Sequence, residues 1–358
     1  MNDLLISTEI STEVCEEFKK SIICTLSLSS KELFHSNMIG WLIENNLDFA
    51  RNILERPDLD SERKVEREKY NFDLLVTANG IKYVIENKVK SLPDYQQLEG
   101  YRDKMNAKKE SEVQYILISL IAPGIEFNKK DPFIHLISYE TILGWISELK
   151  LDDFYLSSLF QDYKKLLDAL IHVKEVAAHL HKDRALTFSP DDEASLRGVR
   201  LFDVAQKIRY SCFEALCHDG LKGVDLRDRL NTTVGMSRSL GMIDLEIKFQ
   251  KSPDTEPLFL GIEIQGSQYR LFVRCDKNAK VKKRIIIVAK SLLDKGLWLL
   301  SPNEKILKFG DEFKYSYSSI KGKTVDNLVA DIKKDIKRIS SNINRIEEVI
   351  EEVISKQL

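Results

Sequence analysis

The residue types able to do chemistry concentrate between Asn71 and Val89. There Asn71-Phe72-Asp73-Leu74-Leu75-Val76-Thr77-Ala78-Asn79-Gly80 runs into Ile81-Lys82-Tyr83-Val84-Ile85-Glu86-Asn87-Lys88-Val89. Two stretches of strand composition flank Asn79-Gly80, the dipeptide best suited to a two-residue type I′ turn, whose central residues both take positive φ. With Ala78 opposite Ile81, counting outward sets Leu75 against Val84 and Asp73 against Glu86. Directly opposed residues of an antiparallel pair have Cβ atoms about 5 Å apart, so two ionised carboxylates placed there repel each other. A cation between them removes that penalty. Magnesium suits the place, because it binds through one or two carboxylates and leaves its other positions to water and phosphate oxygens. Lys88 follows Glu86 by two residues and projects to the same strand face. A solvated hairpin surface would use the same residue types, but Val84, Ile85 and Val89 make this strand read as buried.

The elements that must position these groups follow from the surrounding pattern. Between Arg63 and Leu120, short runs rich in Val, Ile, Tyr and Leu are broken at Asn79-Gly80 and Ser91-Leu92-Pro93-Asp94, which predicts strand, hairpin, strand, helix, strand. Ser91 and Asp94 are spaced to form a capping box for that helix. Gln97 and Tyr101, four residues apart, share one of its faces and serve either the site or helix packing. From Ser11 to about Glu44, apolar residues recur at helical spacing with a break at Ser27, Ser29 and Ser30, which predicts two helices, the second capped by a serine. Residues 134–148 read as a strand and a helix. Residues 151–182 read as one long helix through Leu159, Leu166, Leu170 and Val173.

In that order the elements resemble the PD-(D/E)XK nuclease superfamily, whose members carry an aspartate at the end of one strand and Glu-x-Lys on the next. Asp73 and Glu86-Asn87-Lys88 are the matching residues. Gln97-Leu98-Glu99-Gly100-Tyr101 resembles the Gln-x-x-x-Tyr element of the exonuclease-type branch. Glu32-Leu33-Phe34-His35-Ser36 is similar to the first-helix motif of a bacterial subgroup in which a glutamate precedes a His-Ser pair. Phe72 stands where the superfamily is named for proline. The resemblance spans roughly residues 25 to 148 and is carried by the order of the motifs more than by any one of them. It implies an α+β fold with a mixed central sheet flanked by helices. It also implies that Asp73 and Glu86, with Glu32 either as a further catalytic carboxylate or as a surface glutamate, hold Mg²⁺ or Mn²⁺. Lys88 would position the attacking water or offset developing charge, and Gln97 and Tyr101 would contact the nucleic-acid backbone or orient Lys88. The implied activity is hydrolysis of phosphodiester bonds, in DNA before RNA, with phage defence or DNA processing as the setting. An inactive nucleic-acid- or protein-binding scaffold and a ribonuclease of the same fold are the alternatives. His35 reads as a packed or capping histidine rather than a base.

At 358 residues the chain exceeds what one core usually serves. The expected division is a nuclease-like domain over 1–148, a connecting helix over 149–184, a second mixed α/β module over 185–323 that binds or regulates, and a heptad-patterned helix over 324–358. The 151–182 helix is the candidate domain junction, and the mostly polar stretch Thr187 to Ser195, with Pro190 and Asp191-Asp192-Glu193, follows it before the second module. Strands are expected at Ile243 to Phe249, Leu258 to Gln265, Tyr269 to Arg274 and Arg284 to Ala289. Asp244 and Glu263-Ile264-Gln265 echo the first site without its lysine, which points to a structural or substrate-contacting role. The basic run from Arg274 to Arg284 offers Lys282, Lys283 and Arg284 for phosphate contact, and a solvated lysine-rich loop fits it equally. Val329, Ile332, Ile336, Ile339, Ile343, Ile346, Ile350 and Val353 alternate spacings of three and four. That is the seam of a coiled coil and predicts a homo-oligomer, unless the seam packs on the chain's own 151–182 helix.

Composition narrows the class. Hydrophobic residues at 43% and charged residues at 31% describe a globular chain rather than a disordered or fibrous one. Met1 to Glu9 lacks a basic lead-in to a long apolar run, so no secretory signal is expected, and no stretch reaches membrane-spanning length. The five cysteines, Cys15, Cys24, Cys212, Cys217 and Cys275, are odd in number without metal-ligand spacing, which argues for reduced thiols in a cytoplasm. His172, His179 and His181 have no further ligand type close by, which argues against zinc. With 54 basic against 56 acidic side chains, net charge neither marks nor excludes a nucleic-acid partner, since local patches suffice.

Overall fold

The computed structural model describes residues 15–355 apart from 17–18, 20, 28–30, 61, 111, 123–132, 227–228, 251–255 and 298–305. The start of the first helix expected from Ser11, and the stretch Met1 to Glu9, lie outside the described residues. The fold is α+β and forms two compact units, one of Met1–His179 with Ser189–Ile208, the other of Leu180–Phe188 with Arg209–Leu358.

In the N-terminal unit, helices α1 (Ile22–Leu26), α2 (Glu32–Asn45) and α3 (Leu47–Ile53) precede strands β1 (Arg63–Arg67), β2 (Leu74–Ala78) and β3 (Ile81–Lys88). Helix α4 (Tyr95–Ala107), β4 (Val113–Ser119), β5 (Ile134–Ser138), α5 (Tyr139–Ser147), α6 (Phe154–Ala178) and α7 (Pro190–Gly198) follow. The sheet runs β1-β2-β3-β4-β5, antiparallel from β1 to β3 and parallel from β3 to β5. Asn79 and Gly80 take φ of 48° and 79°, and Ala78 pairs with Ile81 and Leu75 with Val84, as the turn chemistry requires. Tyr83 through Lys88 of β3 are all buried, because a strand paired parallel in mid-sheet is covered on both faces.

The turn from β1 into β2 is strained, with Glu68, Tyr70 and Asn71 at φ of 52°, 59° and 66°. A left-handed conformation costs an L-residue about 1–2 kcal/mol, so something must hold these in place. Phe72 does so. Its ring is fully buried with Leu75, Leu98 and Met105 and meets Tyr101 edge-on at 4.7 Å between centroids. Its amide donates to the Lys69 carbonyl at 3.1 Å. Proline has no such donor, which gives a local reason for phenylalanine at this position.

Two local expectations are corrected. Helix α2 has Lys31 at its N-cap, with no side-chain cap hydrogen bond, where a serine was expected; Ser29 and Ser30 lie outside the described residues. Asp94 alone caps α4, accepting from the Gln96 amide, while Ser91 turns instead to Glu32. The polar stretch around Pro190 is helix α7, with Ser189 at its N-cap, proline in the first turn and three acidic residues there. That is favourable helix-start chemistry.

The unit boundary at Ile208 falls inside α8 (Phe202–Gly220). The C-terminal unit continues with β6 (Leu230–Ser237), β7 (Leu240–Phe249), β8 (Leu258–Gln265), β9 (Gln268–Cys275), α9 (Ile285–Asp294), β10 (Leu307–Phe309), β11 (Phe313–Ser319), α10 (Val325–Ser341) and α11 (Ile343–Ser355). Its antiparallel sheet runs β10-β11-β9-β8-β7-β6. The stretch expected as a strand at Arg284 to Ala289 is the start of α9, with Ile285, Val288, Ala289 and Leu292 buried at helical spacing. A short apolar run does not by itself distinguish the two. The heptad-like segment is two helices with a break at Asn342. Its Ile332, Ile336, Ile339, Ile343, Ile346 and Ile350 share one core with Ile243, Leu245, Ile262 and Val273 of the sheet. The periodicity therefore serves this unit's own core and no longer argues for a partner helix. Among the described residues no helix is long and apolar enough to cross a membrane, and the five cysteines are free thiols.

Candidate active site

Continuing the β2–β3 register one step past Leu74 and Ile85 brings Asp73 beside Glu86 at one end of the sheet. Asp73 Oδ2 accepts the Asn87 amide at 2.7 Å. Burial pushes the Asp73 carboxyl up to about 7, with the Glu86 charge adding to the rise and the Asn87 N–H and Lys88 opposing it. Glu86, only 4% exposed, is held on both oxygens. Oε1 accepts from Gln97 Nε2 at 2.9 Å and lies 2.6 Å from Lys88 Nζ, while Oε2 lies 3.0 Å from the Tyr101 hydroxyl. That hydroxyl is also 3.1 Å from the Asn71 carbonyl, and its single proton serves one acceptor at a time. Burial and the Glu86 charge push the Tyr101 phenol upward. Gln97 Nε2 reaches the Tyr101 oxygen at 2.5 Å, so one face of α4 grips one carboxylate.

Asn87, between the two charged residues, points to the opposite side of the sheet. Its Nδ2 donates to Ser36 Oγ at 3.1 Å and to the Glu32 carbonyl at 3.3 Å, and its Oδ1 accepts from the buried Tyr139 hydroxyl at 2.7 Å. Asn87 therefore ties β3 to α2 and α5. His35 is fully buried, its Nδ1 3.1 Å from the Tyr163 hydroxyl. Glu32 is placed at the edge of the site. Its Oε1 accepts the amides of Lys90 at 3.1 Å and Ser91 at 2.7 Å, and Oε2 faces the Ser91 hydroxyl at 3.3 Å. It clamps the turn that follows Lys88.

Among the described residues no three His, Cys, Asp or Glu side chains group as a metal cage. Buried Glu86 and partly buried Asp73 could together offer oxygens to a hard ion that retains water and substrate oxygens, as magnesium does. A cation bound there would offset the Glu86 charge, the second cause of the Asp73 rise after burial.

The remaining candidate residues belong to the C-terminal unit. Lys282, Lys283 and Arg284 occupy a 3-10 helix, Lys280–Arg284, in the C-terminal unit, where Arg284 Nη1 donates to the Ile354 carbonyl. Asp244 does face Glu263 across β7 and β8, and burial with the Glu263 charge raises its carboxyl. Arginines take the lysine's place there, Arg270 on Glu263 and Arg274 on Glu246. A groove of about 870 Å³ lined by Asn46, Arg51, Glu55, Trp145 and Lys150 contains none of the site residues.

The mixed sheet thus presents two acids and a lysine at one strand end. Residues 22–162 match the family model described as the PD-(D/E)XK nuclease superfamily. The match covers less than half of the chain. No curated protein and no solved structure matches it.

Proposed function

We propose that the N-terminal unit is a divalent-metal-dependent nuclease that hydrolyses phosphodiester bonds in DNA, in a defence or DNA-processing role. The observation that carries this reading is the Asp73–Glu86 pair, Glu86 buried and Asp73 partly so, with Asp73 raised to about 7 and Lys88 2.6 Å from Glu86, inside a segment that matches a nuclease superfamily.

Asp73 and Glu86 would hold Mg²⁺ or Mn²⁺, which when bound polarises a phosphoryl oxygen and lowers the pKa of water. The chain's own groups do the rest. Lys88 is a fixed ammonium in a dry site, where it offsets negative charge that grows in the transition state. The Asn87 amide holds Asp73 in place, and Gln97 with Tyr101 fixes the Glu86 carboxylate, so neither acid must reorganise during the reaction.

The test is incubation of the purified full chain with plasmid, linear duplex, single-stranded DNA and RNA, each with Mg²⁺, Mn²⁺ or chelator, beside Asp73→Ala and Lys88→Ala. Metal-dependent cleavage of DNA that both substitutions abolish is the expected result. Cleavage of RNA alone would move the assignment to a ribonuclease, and no cleavage of any substrate would overturn the enzymatic reading.

A further inference from the structure

The segment Ser189–Ile208 packs with the N-terminal unit, beyond the residues that match the family. It brings in Lys207, from the second turn of α8. The helix start is anchored by buried Leu201, Val204, Ala205 and Ile208. Lys207 Nζ donates to the Lys90 carbonyl at 2.8 Å, and Asp203, one turn earlier, lies 3.9 Å from Lys90 Nζ. Lys90 is two residues past Lys88, and its amide is held by Glu32. The charges that act on Lys207 are those of Glu32, Lys90, Asp203 and Lys88. Three ammonium groups, on Lys88, Lys90 and Lys207, therefore converge on the turn beside the acidic pair.

We infer that Lys207 binds a backbone phosphate adjacent to the scissile one, so that a helix from outside the family match completes the nuclease's grip on its strand. The inference rests on the nuclease reading above. An ammonium carries three donors and the Lys90 carbonyl occupies one. Partial burial lowers the Lys207 pKa, and a neighbouring anion favours its charged form. A phosphodiester supplies a further anion there and, with Glu32 and Asp203, offsets the repulsion among the three lysines. Pure stapling of the turn would use the Lys90 carbonyl alone.

Counterion release separates the two roles. Binding of a labelled DNA duplex and of a single strand is measured against potassium chloride with chelator present, in the Asp73→Ala background so that no turnover occurs. Lys207→Met should weaken binding and reduce the slope of log affinity against log salt by about 0.9 on the duplex or about 0.7 on the single strand. The wild-type advantage then shrinks about threefold between 50 and 200 mM salt. Lys207→Arg should keep the slope. With an otherwise wild-type site, Lys207→Met should raise KM for cleavage severalfold with less effect on kcat. An unchanged slope, whether affinity falls or not, would overturn the inference and leave Lys207 as a staple. If the wild-type chain cleaves DNA while the slope stays unchanged, this inference alone fails. If the wild-type chain neither binds nor cleaves nucleic acid, the nuclease reading fails with it.

Discussion

The sharpest consequence of the acidic pair is that removing one charge should stabilise the protein while disabling it. Asp73→Asn keeps the shape of the side chain and an oxygen that can accept the Asn87 amide. In the native chain, the Asp73 carboxyl rises from 3.8 to about 7, chiefly through burial and secondarily through Glu86. At about 1.4 kcal/mol per pH unit, that difference amounts to about 4 kcal/mol of destabilisation once the group is fully ionised in the native state. The sign follows from proton binding. Between pH 4 and 7 the native state holds a proton that the unfolded chain has lost, so stability falls as pH rises through the folded pKa and is flat above it. Asp73→Asn escapes that loss, and its advantage over wild type should widen by roughly 2–3 kcal/mol between pH 5 and pH 8. Calorimetry of the full chain in chelator, comparing both proteins at both pH values, reads this as a melting temperature raised by roughly 5–15 °C at pH 8 in the transition of the N-terminal unit. Groups elsewhere that titrate abnormally, such as Asp244, contribute equally to both proteins and cancel in the comparison. Magnesium should stabilise the wild type and leave Asp73→Asn unmoved. A stability gap that does not change with pH, or a variant less stable than wild type at pH 8, would refute the argument that burial and the Glu86 charge together make ionised Asp73 costly.

The other predictions concern the groups around that pair. Lys88→Ala should lower the single-turnover cleavage rate by about 100-fold or more, because the ammonium offsets charge in a preorganised site, and should also lower the thermal midpoint in chelator, because buried Glu86 loses the cation 2.6 Å away. Glu32→Ala leaves the Lys90 and Ser91 amides without their acceptor. It should cost about 1–3 kcal/mol in denaturant unfolding and reduce kcat more than substrate affinity. Phe72→Pro, which restores the residue for which the superfamily is named, should destabilise by about 3 kcal/mol or more in the same measurement, since it removes a buried ring and the bond to Lys69. Ile336→Ala should cost about 2–5 kcal/mol as a core cavity and leave the mass in light scattering unchanged, because Ile336 is buried in its own unit's core.

What the sequence disclosed of this site was local, and what it concealed was not. The Asn79-Gly80 turn and the period-two pattern fix the register of β2 on β3 within a span of some fifteen residues, and Glu86 and Lys88 fall on one face as a direct result. The reach of Gln97 and Tyr101 to Glu86 needs only the next helix. Asn87 looked like a spacer because its partners Ser36 and Tyr139 lie 51 and 52 residues away on separate helices. Lys207 was invisible for the same reason, 117 residues from the carbonyl it meets. Helix α7 was legible but not assigned, since Ser189, Pro190 and the acidic turn are start signals that low hydrophobicity obscured. The apolar seam of α10 and α11 carried a correct period and the wrong partner, because periodicity reports that a face is buried and not what buries it.

These contacts give the six residues from Glu86 to Ser91 an unusual mechanical position. Glu86 is held by α4, Asn87 by α2 and α5, the amides of Lys90 and Ser91 by Glu32, and the Lys90 carbonyl by Lys207. An acidic pair at close quarters would relax by rotating one carboxylate away if the chain allowed it, and a site so relaxed would have to reassemble at each turnover. Anchoring both neighbours of the Glu86–Lys88 couple, rather than the charged side chains alone, closes that route and keeps the repulsion in place for an incoming cation to relieve. The strained turn at Glu68, Tyr70 and Asn71 serves the same end from the β2 side, because the backbone that enters Asp73 is locked by Phe72 and Tyr101 before the carboxylate is reached. The stability of the fold and the readiness of the site are thus opposed at Asp73 and reconciled by the hydrogen bonds on either side of it.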